Sequence, residues 1–190
     1  PGRRAAEVIA WINRGITGTV DIDHFATFSY LVYDNENREI TYSNAAHLPL
    51  VVCRNGGSGC ELVDTEGLPL GIDKATRYTQ KTLKLGKGEE ILLFTDGIVE
   101  SMNERGEQFG LNTFLECVGK HAQLSPEEQV KRIEQELEKH EGGNRKRDDQ
   151  TVIILKVQSQ RGIPHAADQD KDICFGIHRR RGRRGRPVQR

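Results

Sequence analysis

Residues 89–101 read EEILLFTDGIVES, and the fold turns on how the middle of this stretch is taken. Ile91 to Thr95 form an apolar or near-apolar run of strand length that leads straight into Asp96. An Asp-Gly pair is a common turn, because Asp bonds its own backbone and Gly supplies positive φ. The other reading places Asp96 at the end of a rigid strand so that it can hold something. On this stretch alone the turn has the stronger claim, since such dipeptides are common between strands.

Upstream the pattern is β. FATFSYLVYD (25–34), ITYSNA (40–45), LPLVVCR (48–54), CELVD (60–64) and YTQKTLKL (78–85) read as strands joined mostly by short polar or glycine-rich turns. Before them, RAAEVIAWINR (4–14) sets Ala5, Val8, Ile9 and Ile12 at helical spacing. Downstream the period changes. NTFLECVGKH (112–121) predicts a helix with Phe114, Leu115 and Val118 on one side. SPEEQVKRIEQELEKH (125–140) predicts another, with Ser125 as N-cap, Pro126 at the first helical position, Glu128 closing a capping box and Val130, Ile133 and Leu137 as a narrow apolar stripe. TVIILKV (151–157) then returns to strand. Strands and helices are segregated along the chain, and the short turns favour antiparallel pairing, so the class is α+β.

The chain has 190 residues, 35% hydrophobic and 29% charged, enough for one soluble domain with a core. No run approaches the ~20 apolar residues that span a bilayer, and the N-terminus reads as helix rather than signal peptide, so a cytoplasmic protein is expected. The four cysteines, Cys53, Cys60, Cys117 and Cys174, show neither CxxC nor zinc-like spacing, which favours reduced thiols over a disulfide framework. Cys174 stands at C-x5-R spacing to Arg180, but in a basic, pattern-poor segment where a chance match is the better account. The formal net charge of zero divides unevenly: residues 158–190 hold nine Lys/Arg against three Asp, leaving the rest acidic. An acidic globular part does not look like a nucleic-acid binder, and the basic tail reads as disordered.

Asp148 and Asp149 open the last strand as Asp96 closes an earlier one. If those two strands pair antiparallel, all three carboxylates meet at one sheet edge. Clustered carboxylates repel unless a cation lies between them, and a hard divalent ion such as Mg²⁺ or Mn²⁺ suits them. Other chemistries lack an anchor: there is no G-x-S-x-G elbow, P-loop, G-x-G-x-x-G or H-E-x-x-H. NGGSG (55–59) reads as a loop, and His47 in NAAHLP as a locally bonded turn residue.

Taken in order, FATFSYLVYD, ITYSNAAHLPL, GLPLGI, LLFTDGIVES, FG and RDDQTVIIL resemble the metal-dependent protein serine/threonine phosphatases of the protein phosphatase 2C superfamily, in its SpoIIE/RsbU-type branch, over about residues 5–157. The resemblance implies an αββα sandwich of antiparallel sheets flanked by helices, with two Mn²⁺ or Mg²⁺ ions in the intact domain. It implies Asp96 and Asp148 as metal ligands, with Asp149 ligating or tuning the site, and Asn44 and His47 as structural. It also implies a water nucleophile with no covalent intermediate, and a phosphoserine or phosphothreonine substrate on an anti-anti-sigma-type regulatory protein. Sensor or receiver domains often accompany such phosphatases in a longer chain. The family's earlier Asp-Gly motif has no match before Phe25, where Asp21 and Asp23 stand in the wrong context. The domain over 1–157 therefore reads as N-terminally incomplete, with 158–190 as its tail. This chain alone is expected to be a weak or inactive phosphatase; the alternative is a non-catalytic, phosphatase-like partner-binding module in signalling.

Overall fold

A computed structural model describes residues 4–19, 25–57, 59–143, 148–157 and 173–180, the last eight and Asn55 by their backbone. In chain order the elements are helix α1 (Ala5–Ile16), strands β1 (Phe28–Asp34), β2 (Glu39–Ala45), β3 (Leu50–Arg54), β4 (Gly59–Val63), β5 (Lys81–Lys84) and β6 (Glu90–Phe94), helices α2 (Asp96–Val99), α3 (Leu111–His121) and α4 (Pro126–Glu141), and strands β7 (Gln150–Val157) and β8 (Ile173–Arg180). They form two antiparallel sheets with helices beside them, which is the expected α+β class. The chain divides into two compact units, Pro1–Pro49 with Leu62–Gly86, and Leu50–Glu61 with Lys87–Arg190.

The first unit is built on the three-stranded sheet β1-β2-β5. Asp34 Oδ1 accepts from the backbone N–H groups of Glu36 and Asn37, which closes the β1–β2 hairpin as an Asx turn. Helix α1 contributes Ile9 to a core with Ala45, Leu70 and Tyr78. Asn13, fully buried on the same helix, donates from Nδ2 to the Asp73 carbonyl and accepts at Oδ1 from Gly71 N–H. These bonds fasten α1 to the GLPLGID segment, since a buried amide is tolerated only when its polar atoms are paired.

The second unit carries the sheet in the order β4-β3-β6-β7-β8. Strands β6 and β7 pair antiparallel, with Phe94 opposite Val152 and Glu90 opposite Lys156. The end of β6 and the start of β7 therefore share one sheet edge. Helix α4 starts as its sequence dictates: Ser125 and Glu128 form the reciprocal capping box, Pro126 opens the helix, and Gly142 ends it in the left-handed region at φ 57. Its stripe of Val130, Ile133 and Leu137 is buried, and Phe94 of β6 stacks on Phe114 of α3 with ring centroids 4.7 Å apart. At the other end of β6, the buried Glu90 accepts from Gln129 Nε2 at 2.7 Å and faces Lys156 Nζ at 3.6 Å. Burial raises the Glu90 carboxyl above its ordinary value, against the pull of Gln129 and Lys156.

Three expectations are corrected. Asp96-Gly97 does not form a simple turn but opens α2, a single helical turn. Cys53 and Cys60 are joined as a disulfide, because neighbouring strands β3 and β4 bring their Cα atoms to 4.1 Å across a separation of seven residues. Part of the tail expected to be disordered, Ile173–Arg180, runs as β8 beside the whole length of β7, from Gln150 opposite Arg180 to Val157 opposite Ile173. An open strand edge offers unpaired N–H and C=O groups, and β8 covers that edge. The rest of 158–190, like Asp21 and Asp23, lies outside the described residues.

Candidate metal centre

Thr95 is the residue between β6 and α2, and it stitches the two acidic segments together. Its hydroxyl donates to the Asp149 carbonyl at 3.0 Å and accepts from Thr151 N–H at 3.0 Å, while its own N–H donates to the Thr151 carbonyl. Gly97 lies beyond it, and a Cβ built on Gly97 would sit 2.5 Å from the Asp149 carbonyl oxygen. Only glycine lets the TDG backbone approach the RDDQT backbone this closely. The convergence expected from antiparallel pairing is therefore present at the level of the main chain.

Among the described residues no group of three or more His, Cys, Asp or Glu side chains is arranged to hold a metal ion. Asp96 Oδ1 accepts from Gly97 N–H at 2.9 Å, and Asp148 Oδ1 accepts from Asp149 N–H at 2.7 Å. Each of these exposed carboxylates is engaged by the backbone of its own successor, and three like charges repel one another. What the structure brings together is the two segments that carry the three carboxylates.

The donors present still fit a hard divalent cation. They are carboxylate oxygens set at rigid strand ends, and the second oxygen of Asp96 and of Asp148 takes no hydrogen bond among the described residues. Neither residue is in an ion pair among the described residues. Among the cysteines whose side chains are described, none offers a thiolate nucleophile: Cys117 is buried on α3 with its thiol pushed up to about 11, and Cys53 and Cys60 are bonded to each other.

Asn44 and His47 belong to the first unit, where both serve the NAAHLP turn. Asn44, almost fully buried, accepts from His47 N–H and Ser29 Oγ and donates to the His47 carbonyl and Asp64 Oδ1. His47 Nδ1 meets Thr27 Oγ1 at 3.1 Å. Ala46, between them, sits in the left-handed region at φ 55, a conformation that glycine takes without strain. The roles of Thr95 and of Gly97's missing side chain were not assigned from sequence; the TDG motif located both residues but not the backbone contacts they make with RDDQT.

A family model described as Stage II sporulation protein E (SpoIIE) matches residues 1–158. The phosphoserine phosphatase RsbU of Bacillus subtilis is 31% identical over 157 residues, covering 82% of this chain and 46% of RsbU. The chain thus spans about half the length of that relative. Among solved structures, the SiaA-PP2C domain of Pseudomonas aeruginosa aligns with TM-score 0.68 at 21% identity, over 80% of this chain and 59% of that one. The PP2C phosphatase domain of SpoIIE from Bacillus subtilis, with a fragment of its regulatory domain, aligns with TM-score 0.67 at 18% identity, over 82% and 45%. These likenesses bear out the fold. On the match to its family model and to RsbU, the chain belongs to the SpoIIE family.

Proposed function

We propose that this chain is the metal-binding part of a protein serine/threonine phosphatase that hydrolyses phosphoserine or phosphothreonine on a regulatory protein of the anti-anti-sigma type. The observation that carries the reading is the apposition of TDG and RDDQT, locked by Thr95 and by the close approach at Gly97. Its relative RsbU, a phosphoserine phosphatase, supports the substrate class. In this reading Asp96 and Asp148 hold Mn²⁺ or Mg²⁺, and Asp149 ligates or orients from the same segment. The bound ions supply an activated water and neutralise phosphoryl charge. The protein's part is to keep the aspartates at fixed strand ends, so that ligand geometry does not have to be recovered at each turnover. The domain covers residues 1–157, with β8 added to its sheet.

One observation favours a second reading. The absence of a three-ligand cluster among the described residues suits a phosphatase-like module that binds a partner without hydrolysing its phosphate. Phosphate release from a phosphoserine protein by the full-length protein, with and without Mn²⁺, separates the two: the phosphatase releases phosphate only with metal, and the binding module releases none. No helix among the described residues is long and apolar enough to cross a membrane. The reading places the protein in the cytoplasm, where the Cys53–Cys60 bond is exposed to reduction. Thiol counting on protein alkylated in intact cells tests that placement.

A further inference from the structure

We propose that Glu141 is a positioning residue whose carboxylate latches the two acidic segments to the end of α4 and so sets Asp96 and Asp148–Asp149 in mutual register. Glu141 is the last residue of α4 and is 5% exposed. Its Oε1 accepts from Ser101 Oγ at 2.8 Å and from Gln150 Nε2 at 2.7 Å. Ser101 comes just after α2, the turn that Asp96 opens, and Gln150 directly follows Asp149. One carboxylate oxygen therefore joins the segment behind the first wall to the segment behind the second. All three side chains are buried, Ser101 at 9% and Gln150 at 2% exposed.

The placement runs against simple stability. A carboxylate at a helix C-terminus opposes the helix dipole, and burying it costs desolvation that an apolar residue would avoid. What the carboxylate provides is direction: two hydrogen bonds converging on one atom fix both segments against a helix that is itself seated by Val130, Ile133 and Leu137. Residues behind metal ligands commonly tune affinity in this way. Thr95 joins the walls at the strand edge; Glu141 joins them from the helix side.

The inference rests on reading Asp96 and Asp148 as metal ligands, so its test has two arms. In the metal-free full-length protein, amide exchange is measured on peptides covering 96–101 and 148–151. Glu141→Ala is expected to speed exchange in both by about tenfold, since two hydrogen bonds are lost. Glu141→Gln, which keeps an acceptor oxygen, stays within about twofold, as does β3 in every variant. Ser101→Ala is expected to loosen 96–101 by about fivefold and leave 148–151 protected, which tests the latch even if Glu141→Ala fails to fold. Unchanged exchange in the folded variants overturns the latch. In the second arm, Mn²⁺ is titrated and free ion is read by electron paramagnetic resonance. Glu141→Ala is expected to weaken binding about tenfold, with Glu141→Gln within about twofold. Mn²⁺ binding unchanged in Glu141→Ala overturns the positioning role. If the wild-type protein itself binds no Mn²⁺, the metal-ligand reading fails, and the exchange arm still decides the latch.

Discussion

Gly97 and the Asp149 carbonyl are packed so closely that a single added methyl group would lie 2.5 Å from the oxygen. The neighbour is backbone, anchored by the Thr95 hydroxyl, and cannot rotate away. Gly97→Ala is therefore expected to push the two acidic segments apart and to cost ~1–3 kcal/mol, the usual range for overpacking. Denaturant unfolding checks the stability loss. Mn²⁺ titration of the folded variant should show at least about tenfold weaker binding.

Thr95→Val keeps the shape of the side chain and removes its hydroxyl. The Asp149 carbonyl then loses a donor and Thr151 N–H loses an acceptor, both in a half-buried setting. A loss of ~1–3 kcal/mol is expected on thermal or denaturant unfolding, because both bonds through the hydroxyl are lost at once. Thr95→Ser, which restores the hydroxyl, should recover most of it.

Ala46 offers a gain instead. At φ 55 an alanine bears a left-handed penalty of ~1–2 kcal/mol, of which ~0.4–1 is returned because alanine limits the unfolded chain more than glycine does. Ala46→Gly is expected to stabilise the protein by ~0.5–1 kcal/mol, read from the denaturant midpoint at unchanged slope.

Glu90 makes stability fall as pH rises. Its carboxyl is raised in the folded protein, first by burial, so the unfolded chain gives up the proton more readily. The favourable state is complete below the ordinary value of 4.5 and is lost as pH climbs through the raised folded value. Glu90→Gln removes this dependence while keeping an oxygen for Gln129 to donate to. The stability of Glu90→Gln relative to wild type should therefore improve from pH 4.5 upward and level off above the folded value, measured by denaturant unfolding at each pH. A difference that is flat across this window would refute it.

Much of this was legible in the sequence, for identifiable reasons. Helix α4 announced itself because Ser125, Pro126 and Glu128 carry its start locally, and its stripe fixes which face is buried. The β6–β7 pairing was posed from sequence only as the condition under which the acidic segments share an edge, and the structure meets it. Cys53–Cys60 was misread because a seven-residue spacing says nothing until the hairpin register is known. Strand β8 was missed because a basic segment without alternation becomes a strand through the edge it joins, not through its own pattern. In the site, Asp96 and Asp148 were visible as motif residues. Thr95, Ser101, Glu141 and Gln150 were not, since their roles exist only between segments about forty residues or more apart in the chain, apart from the short Glu141–Gln150 step.

The central claim is that TDG and RDDQT are two walls of one metal-dependent phosphatase site. The most direct measurement is phosphate release from a phosphoserine protein by the full-length protein, titrated with Mn²⁺, for wild type, Asp96→Asn and Asp148→Asn. Wild type is expected to turn over only with metal and to stop when the metal is chelated. Each variant should lose at least about a hundredfold, at the upper end of what disturbing a metal site costs. Wild-type turnover retained by both variants at equal Mn²⁺ would contradict the account.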